Sequence, residues 1–142
     1  VQNEMKSDKA ILVFVDDFIG TGHTAEKCFQ SVNLLDNILN RTMVLALVAQ
    51  EEGVKCIESF GIKVYSGEVR KKGITDYYDV KEAKEKMILM EEIEEKMAIK
   101  KEYRFGYGAS EALVTMCRTP NNTFPVFWEE KGNMKLAPFP RG

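Results

Sequence analysis

Six consecutive apolar residues, Ala10-Ile11-Leu12-Val13-Phe14-Val15, run straight into two aspartates, Asp16 and Asp17. A β-branched and aliphatic run of that length, closed abruptly by charge, reads as a central strand of a parallel sheet, buried on both faces. From there Asp16-Asp17-Phe18-Ile19-Gly20-Thr21-Gly22-His23-Thr24 combines two glycines with hydroxyl side chains and reads as a loop. After it Ala25, Cys28, Phe29, Val32, Leu35 and Leu39 recur at helical spacing, which predicts a helix over about 24–39 with Thr24 as its N-cap.

The same alternation continues downstream. Met43 to Ala49 reads as a second buried strand, Glu51 to Phe60 as a short helix closed near Gly61, and Ile62 to Tyr65 as a third strand. Strand, helix, strand, helix, strand implies an α/β fold with parallel pairing and right-handed crossovers. Residues 66–79 read as a loop, and 80–102 as a long amphipathic helix with Ala83, Met87, Met90, Ile93 and Met97 on one stripe. That stripe either packs the helix on the body or, because methionine adapts its shape, grips a protein partner or a second copy of the chain. Ala112 to Cys117 reads as a fourth strand, and the segment from Thr119 to Pro125 as a turn-rich loop. With no linker or repeat in view, the 142 residues are expected to form one domain.

Composition narrows the function classes. Twenty Lys and Arg against 22 Asp and Glu leave a net charge of −2, so no positive field draws the chain to nucleic acid. The longest apolar run is far shorter than the roughly 20 residues that cross a bilayer, and no membrane role is expected. Three scattered cysteines, Cys28, Cys56 and Cys117, suit a reducing compartment and a cytoplasmic protein. With one histidine, His23, no His-rich metal site can form.

The chemistry concentrates where the first strand ends. Glycines let a backbone wrap an anion, and the start of a helix offers free N–H donors and partial positive charge, which together suit a phosphate. Carboxylates repel phosphate and accept hydrogen bonds from hydroxyls. Asp16 and Asp17 therefore suit a diol or a hydrated cation, while residues 20–24 suit a phosphate, and a ribose 5-phosphate carries both groups. A nucleoside-triphosphate loop is excluded because no GxxxxGK[ST] occurs, and the dinucleotide fingerprint fails because GxGxxG is absent.

The stretch Val13-Phe-Val-Asp-Asp-Phe-Ile-Gly-Thr-Gly-His-Thr24 resembles the PRPP-binding motif of type I phosphoribosyltransferases. Val48 to Gly53 and Phe60 to Ser66 are similar to the segments after that motif in orotate phosphoribosyltransferase-like domains. Thr119 to Trp128 resembles a signature of phosphoribosyltransferase-like proteins from bacterial conflict systems. The resemblance implies a type I phosphoribosyltransferase-like core binding PRPP or a nucleoside monophosphate, with Mg²⁺ accompanying PRPP. Asp16 and Asp17 would hold the ribose hydroxyls and contact Mg²⁺ indirectly. Gly20, Thr21, Gly22, His23 and Thr24 would hold the 5-phosphate, largely through backbone amides. Where many family members have Thr, this chain has Gly20, which removes one hydroxyl donor. His23 is either a phosphate contact or a solvent-facing loop residue. Phe127 and Trp128 either stack a purine or pyrimidine base or lie buried under the C-terminal tail. The helix over 80–102 reads as an insertion into that core. In that family the pyrophosphate loop and the mobile catalytic loop precede the motif. The nine residues before Ala10 leave no room for them, so the chain is expected to be N-terminally incomplete and inactive alone. The full-length protein is then either a glycosyltransferase or a non-catalytic nucleotide sensor in a defence or regulatory system.

Overall fold

The computed structural model of the chain describes residues 10–32, 36–130 and 137–141. The chain divides into two compact units, Val1–Arg70 and Lys71–Gly142. In the first, β1 (Leu12–Ile19), β2 (Thr42–Gln50) and β3 (Lys63–Arg70) form a three-stranded parallel sheet in the order β1-β2-β3. Helix α1 (His23–Val32) and a single turn, α2 (Asp36–Leu39), join the first two strands, and α3 (Glu51–Glu58) joins the last two. The registers Phe14↔Val44↔Val64 and Val15↔Leu45↔Tyr65 sort the side chains by face.

One face carries the core. Phe29 of α1 and Ile57 of α3 bury against Val44, Ala46 and Ile62, with Phe14 and Val64 packed beside them. The Phe29 ring meets Phe14 and Phe60 edge-on, with centroids 5.2 and 6.0 Å away. Among the described residues, the side chains of the opposite face are exposed. Val15 is 77% and Leu47 64% exposed, and Val13, Leu45 and Tyr65 also face solvent. The expectation of a central strand buried on both faces is thus corrected: among the described residues β1 lies at the sheet's edge and only one face is covered. Topology supplies the reason. With strands in the order 1-2-3, successive crossovers of one hand leave both helices on the same side.

α3 sits unusually close to the end of β1 because Gly53 has no side chain. A Cβ there would lie 2.2 Å from the Gly20 carbonyl oxygen and 2.7 Å from Ile19 Cγ2. A backbone oxygen cannot swing aside as a side-chain tip can, so helix and turn must part to admit even a methyl group.

The second unit is built around α4 (Val80–Lys96) and short turns at Lys101–Tyr103, Tyr107–Ala109 and Pro125–Phe127. Asp79 caps α4 by accepting the Lys81 and Glu82 amides, both at 2.9 Å. The helix stops at Lys96, earlier than the charge pattern suggests, because Ala98 turns to a left-handed φ of 53°. Ala83 packs with Ile74 and Phe124, and Met87 and Met90 lie against that cluster. Of the two readings of the stripe, Met87 and Met90 take the first and pack on their own unit's core, and Met97 is buried. The expected strand at 112–117 reduces to one parallel bridge, Ala112↔Thr123. The backbone at Glu111 adopts a φ of 51°, which bends the chain where the strand should begin.

Two buried carboxylates organise this unit. Glu111 accepts the Ile74 and Thr75 amides at 3.0 and 2.8 Å and the Thr75 hydroxyl at 3.0 Å. Both of its oxygens are thereby satisfied. Glu94 is 0% exposed, and one oxygen accepts the Phe105 amide at 2.8 Å while the other finds no partner. Burial pushes the Glu94 carboxyl up to about 7, against the pull of the Phe105 amide and of Arg104. Arg104 itself lies 2.7 Å from Glu95 and 3.6 Å from Glu91 on the helix surface. No helix among the described residues is long and apolar enough to cross a membrane.

Two outcomes are expected. Gly53→Ala gains about 1 kcal/mol of helix propensity but forces a backbone overlap, so unfolding free energy should fall by about 1–3 kcal/mol in urea titration. An unchanged midpoint would show that α3 does not press on the turn. For Glu94 the native state holds a proton that the unfolded chain has lost, between its ordinary value of 4.5 and about 7. Its contribution to stability therefore falls as pH rises through that window and stays low above it. Glu94→Gln should match the wild type near pH 4.5 and exceed its stability by about 1–3 kcal/mol at pH 8. A difference that does not grow with pH contradicts the assignment.

Candidate functional site

β1 does not end before its two acids. Pairing continues through Asp16↔Ala46, Phe18↔Val48 and Ile19↔Ala49, so Asp16 and Asp17 stand on the strand itself and both are exposed. The Asp17 amide donates to Asp16 Oδ1 at 2.9 Å. Partial loss of solvent raises the Asp16 carboxyl above its ordinary value, and the neighbouring Asp17 carboxylate adds to that, while the Asp17 amide opposes it. Two adjacent carboxylates held this way are acceptors looking for hydroxyl protons or a cation.

Beyond Ile19 the chain makes its turn. Gly20, Thr21 and Gly22 are buried, and His23 and Thr24 are exposed. Gly22 has a φ of +85°, and a Cβ on it would also strike Cys56 of α3 at 2.8 Å. Only glycine meets both demands. The Thr21 hydroxyl and His23 Nδ1 are 2.9 Å apart, the histidine tautomer deciding which of them donates. α1 begins one residue before the expected cap: the Glu26 amide donates to the Gly22 carbonyl at 3.0 Å, closing the first helical turn. The amides of residues 23–25 then have no acceptor inside the helix. They form, with the helix dipole, a donor-rich end at the strand's carboxyl edge. Glu26 in the first turn places one opposing charge there.

Beside the acids lies an open cleft of about 490 Å³, lined by Val15, Asp16, Asp17, Leu45, Ala46 and Leu47. Asp16, Asp17 and residues 20–24 are thus consecutive along one strand and its turn. Phe127 and Trp128 belong to the second unit. Trp128 is 8% exposed, its indole N–H donates to the Thr123 carbonyl at 2.7 Å, and the Arg141 guanidinium lies 5.1 Å from its ring. Phe127 packs against the cluster of Ile74, Ala83 and Phe124.

Sequence reasoning overlooked three contributors. Gly53, within a helix, supports the turn from behind, and a glycine in an otherwise helical stretch was the available signal. Leu45 and Leu47 join the cleft through strand register, which no local motif reveals.

A family model described as PRTase-CE matches residues 1–141. Among solved structures, the AQ2163 protein from Aquifex aeolicus is 22% identical, with a TM-score of 0.33. That match covers 46% of this chain and 32% of the other, so it spans about a third of that protein's length. No curated protein matches. With a parallel α/β sheet, two acids and a glycine-bearing turn in place, and a family match over nearly its whole length, the chain belongs to the phosphoribosyltransferase-like PRTase-CE family.

Proposed function

We propose that the chain binds the ribose 5-phosphate group of PRPP or of a nucleoside monophosphate. The observation that carries this reading is the layout of β1 and its turn. Two exposed carboxylates are followed, three residues on, by a buried glycine-containing turn that opens a helix. Asp16 and Asp17 accept the ribose 2- and 3-hydroxyl protons. The amides of the turn and of the first residues of α1 donate to the 5-phosphate. Gly22 keeps the backbone open for that approach, and Gly53 keeps α3 tight behind it.

Among the described residues no group of three or more His, Cys, Asp and Glu converges as a metal cage. A carboxylate pair of this kind fits a hydrated Mg²⁺ carried in by the pyrophosphate of PRPP, held through water.

The test is calorimetric titration with ribose 5-phosphate. Wild type should bind saturably, and Asp16→Asn with Asp17→Asn should weaken binding at least about tenfold, since hydrogen bonds to charged groups contribute roughly 1.5–3 kcal/mol. Circular dichroism should stay unchanged, because both side chains are exposed. Equal affinity in the folded double variant rejects the diol assignment.

A further inference from the structure

Glu94 and Arg104 of the second unit share an unfinished contact. Glu94 is wholly buried, and only one of its oxygens has a partner, the Phe105 amide at 2.8 Å. Arg104 immediately precedes Phe105, so the same hydrogen bond brings its backbone up to Glu94. Its guanidinium nevertheless pairs elsewhere, with Nη1 2.7 Å from Glu95 and 3.6 Å from Glu91, two carboxylates on the exposed side of α4. The Nε of the same guanidinium is buried and unpartnered, as is the second oxygen of Glu94. A buried donor and a buried acceptor thus stand unpaired on residues that a single hydrogen bond holds together, and leaving either unpaired is costly.

The charges that act on Glu94 come from two elements. Glu91, on its own helix, opposes ionisation, whereas Arg104, from the turn, favours it, and burial keeps the carboxyl protonated up to about 7. Glu95 acts through the guanidinium it holds. A neutral Glu94 draws no cation, and Arg104 stays with Glu95. An ionised Glu94 is a buried charge that needs a counter-charge, and Arg104 is the cation beside it.

We propose that Glu94 and Arg104 form a proton-operated switch: with Glu94 neutral the guanidinium holds Glu95 on the surface of α4, and when Glu94 releases its proton to solvent the guanidinium turns inward to pair with it, freeing Glu91 and Glu95. The exchange needs only side-chain rotation. Phe105 keeps its bond to Glu94 in both states, since a carboxylate accepts an amide proton more strongly than a carboxylic acid does. The outer surface of α4 changes with it. Two carboxylates that share a cation below the transition stand free above it, so this side of the helix becomes more negative over a modest rise in pH.

NMR titration of the whole chain, following the Glu94 carboxyl carbon and the Arg104 Nε–H, tests the switch. Both signals should move in one transition with a common midpoint, between 4.5 and about 7. In Glu94→Gln, whose amide oxygen still accepts from Phe105, the Arg104 signal should stay flat across that window. Glu95→Gln should keep the transition and lower its midpoint by about half a unit, because the surface pair competing for the guanidinium is gone. An Arg104 signal that stays still while Glu94 titrates, or moves with a separate midpoint, overturns the switch. So does a transition that survives in folded Glu94→Gln, a midpoint unmoved in Glu95→Gln, or a Glu94 carboxyl that titrates at 4.5 or below. Should Glu94→Gln not fold, the two midpoints in the wild type decide alone.

Discussion

The contact between the backbone of the β1–α1 turn and the first turns of α3 sets the geometry of everything proposed for the first unit. Gly20 offers its carbonyl oxygen where a side chain on Gly53 would have to be, and Gly22 lies where one would strike Cys56. Two residues without side chains let a helix press against the turn. The turn is then buried rather than loose, and its shape does not depend on a ligand to hold it. Pre-ordering a loop in this way removes part of the entropy that binding otherwise has to overcome. β1 delivers the acids, α3 fixes the turn, and α1 begins where the turn releases the chain.

Much of this was legible in the residues. The alternation of apolar runs with helical spacing gave β1, α1, β2, α3 and β3 in order, and the Asp-Asp-to-Thr24 stretch marked the candidate site. What was not legible has physical causes. A continuous apolar run looks the same whether one or both faces of a strand are covered, so Val13 and Val15 could not announce that they face solvent. β3 runs on to Arg70 because backbone pairing with β2 tolerates Glu68 and Arg70, whereas the apolar pattern stops at Tyr65. Leu47 enters the cleft only through inter-strand register.

The second unit shows a different limit. Its order depends on buried acids, which a hydropathy pattern counts as surface. Glu111 ties residues 73–75 to the chain after the glycine-containing turn, and Glu94 ties α4 to Phe105. Backbone at positive φ at Phe105 and Glu111 lies beside these bonds. The Ala112–Cys117 stretch looked like a strand because the role of its neighbour Glu111 was invisible. Apolar spacing alone left the methionine stripe two readings, and Met87 and Met90 pack against the cluster of Ile74 and Phe124.

A crystal structure of the chain with AMP addresses the central claim most directly. The account expects the phosphate on the amides of residues 20–24 and the ribose hydroxyls within hydrogen-bond reach, about 2.5–3.0 Å, of Asp16 and Asp17. Nucleotide density elsewhere, with Asp16, Asp17 and the turn left free at saturating ligand, would contradict it.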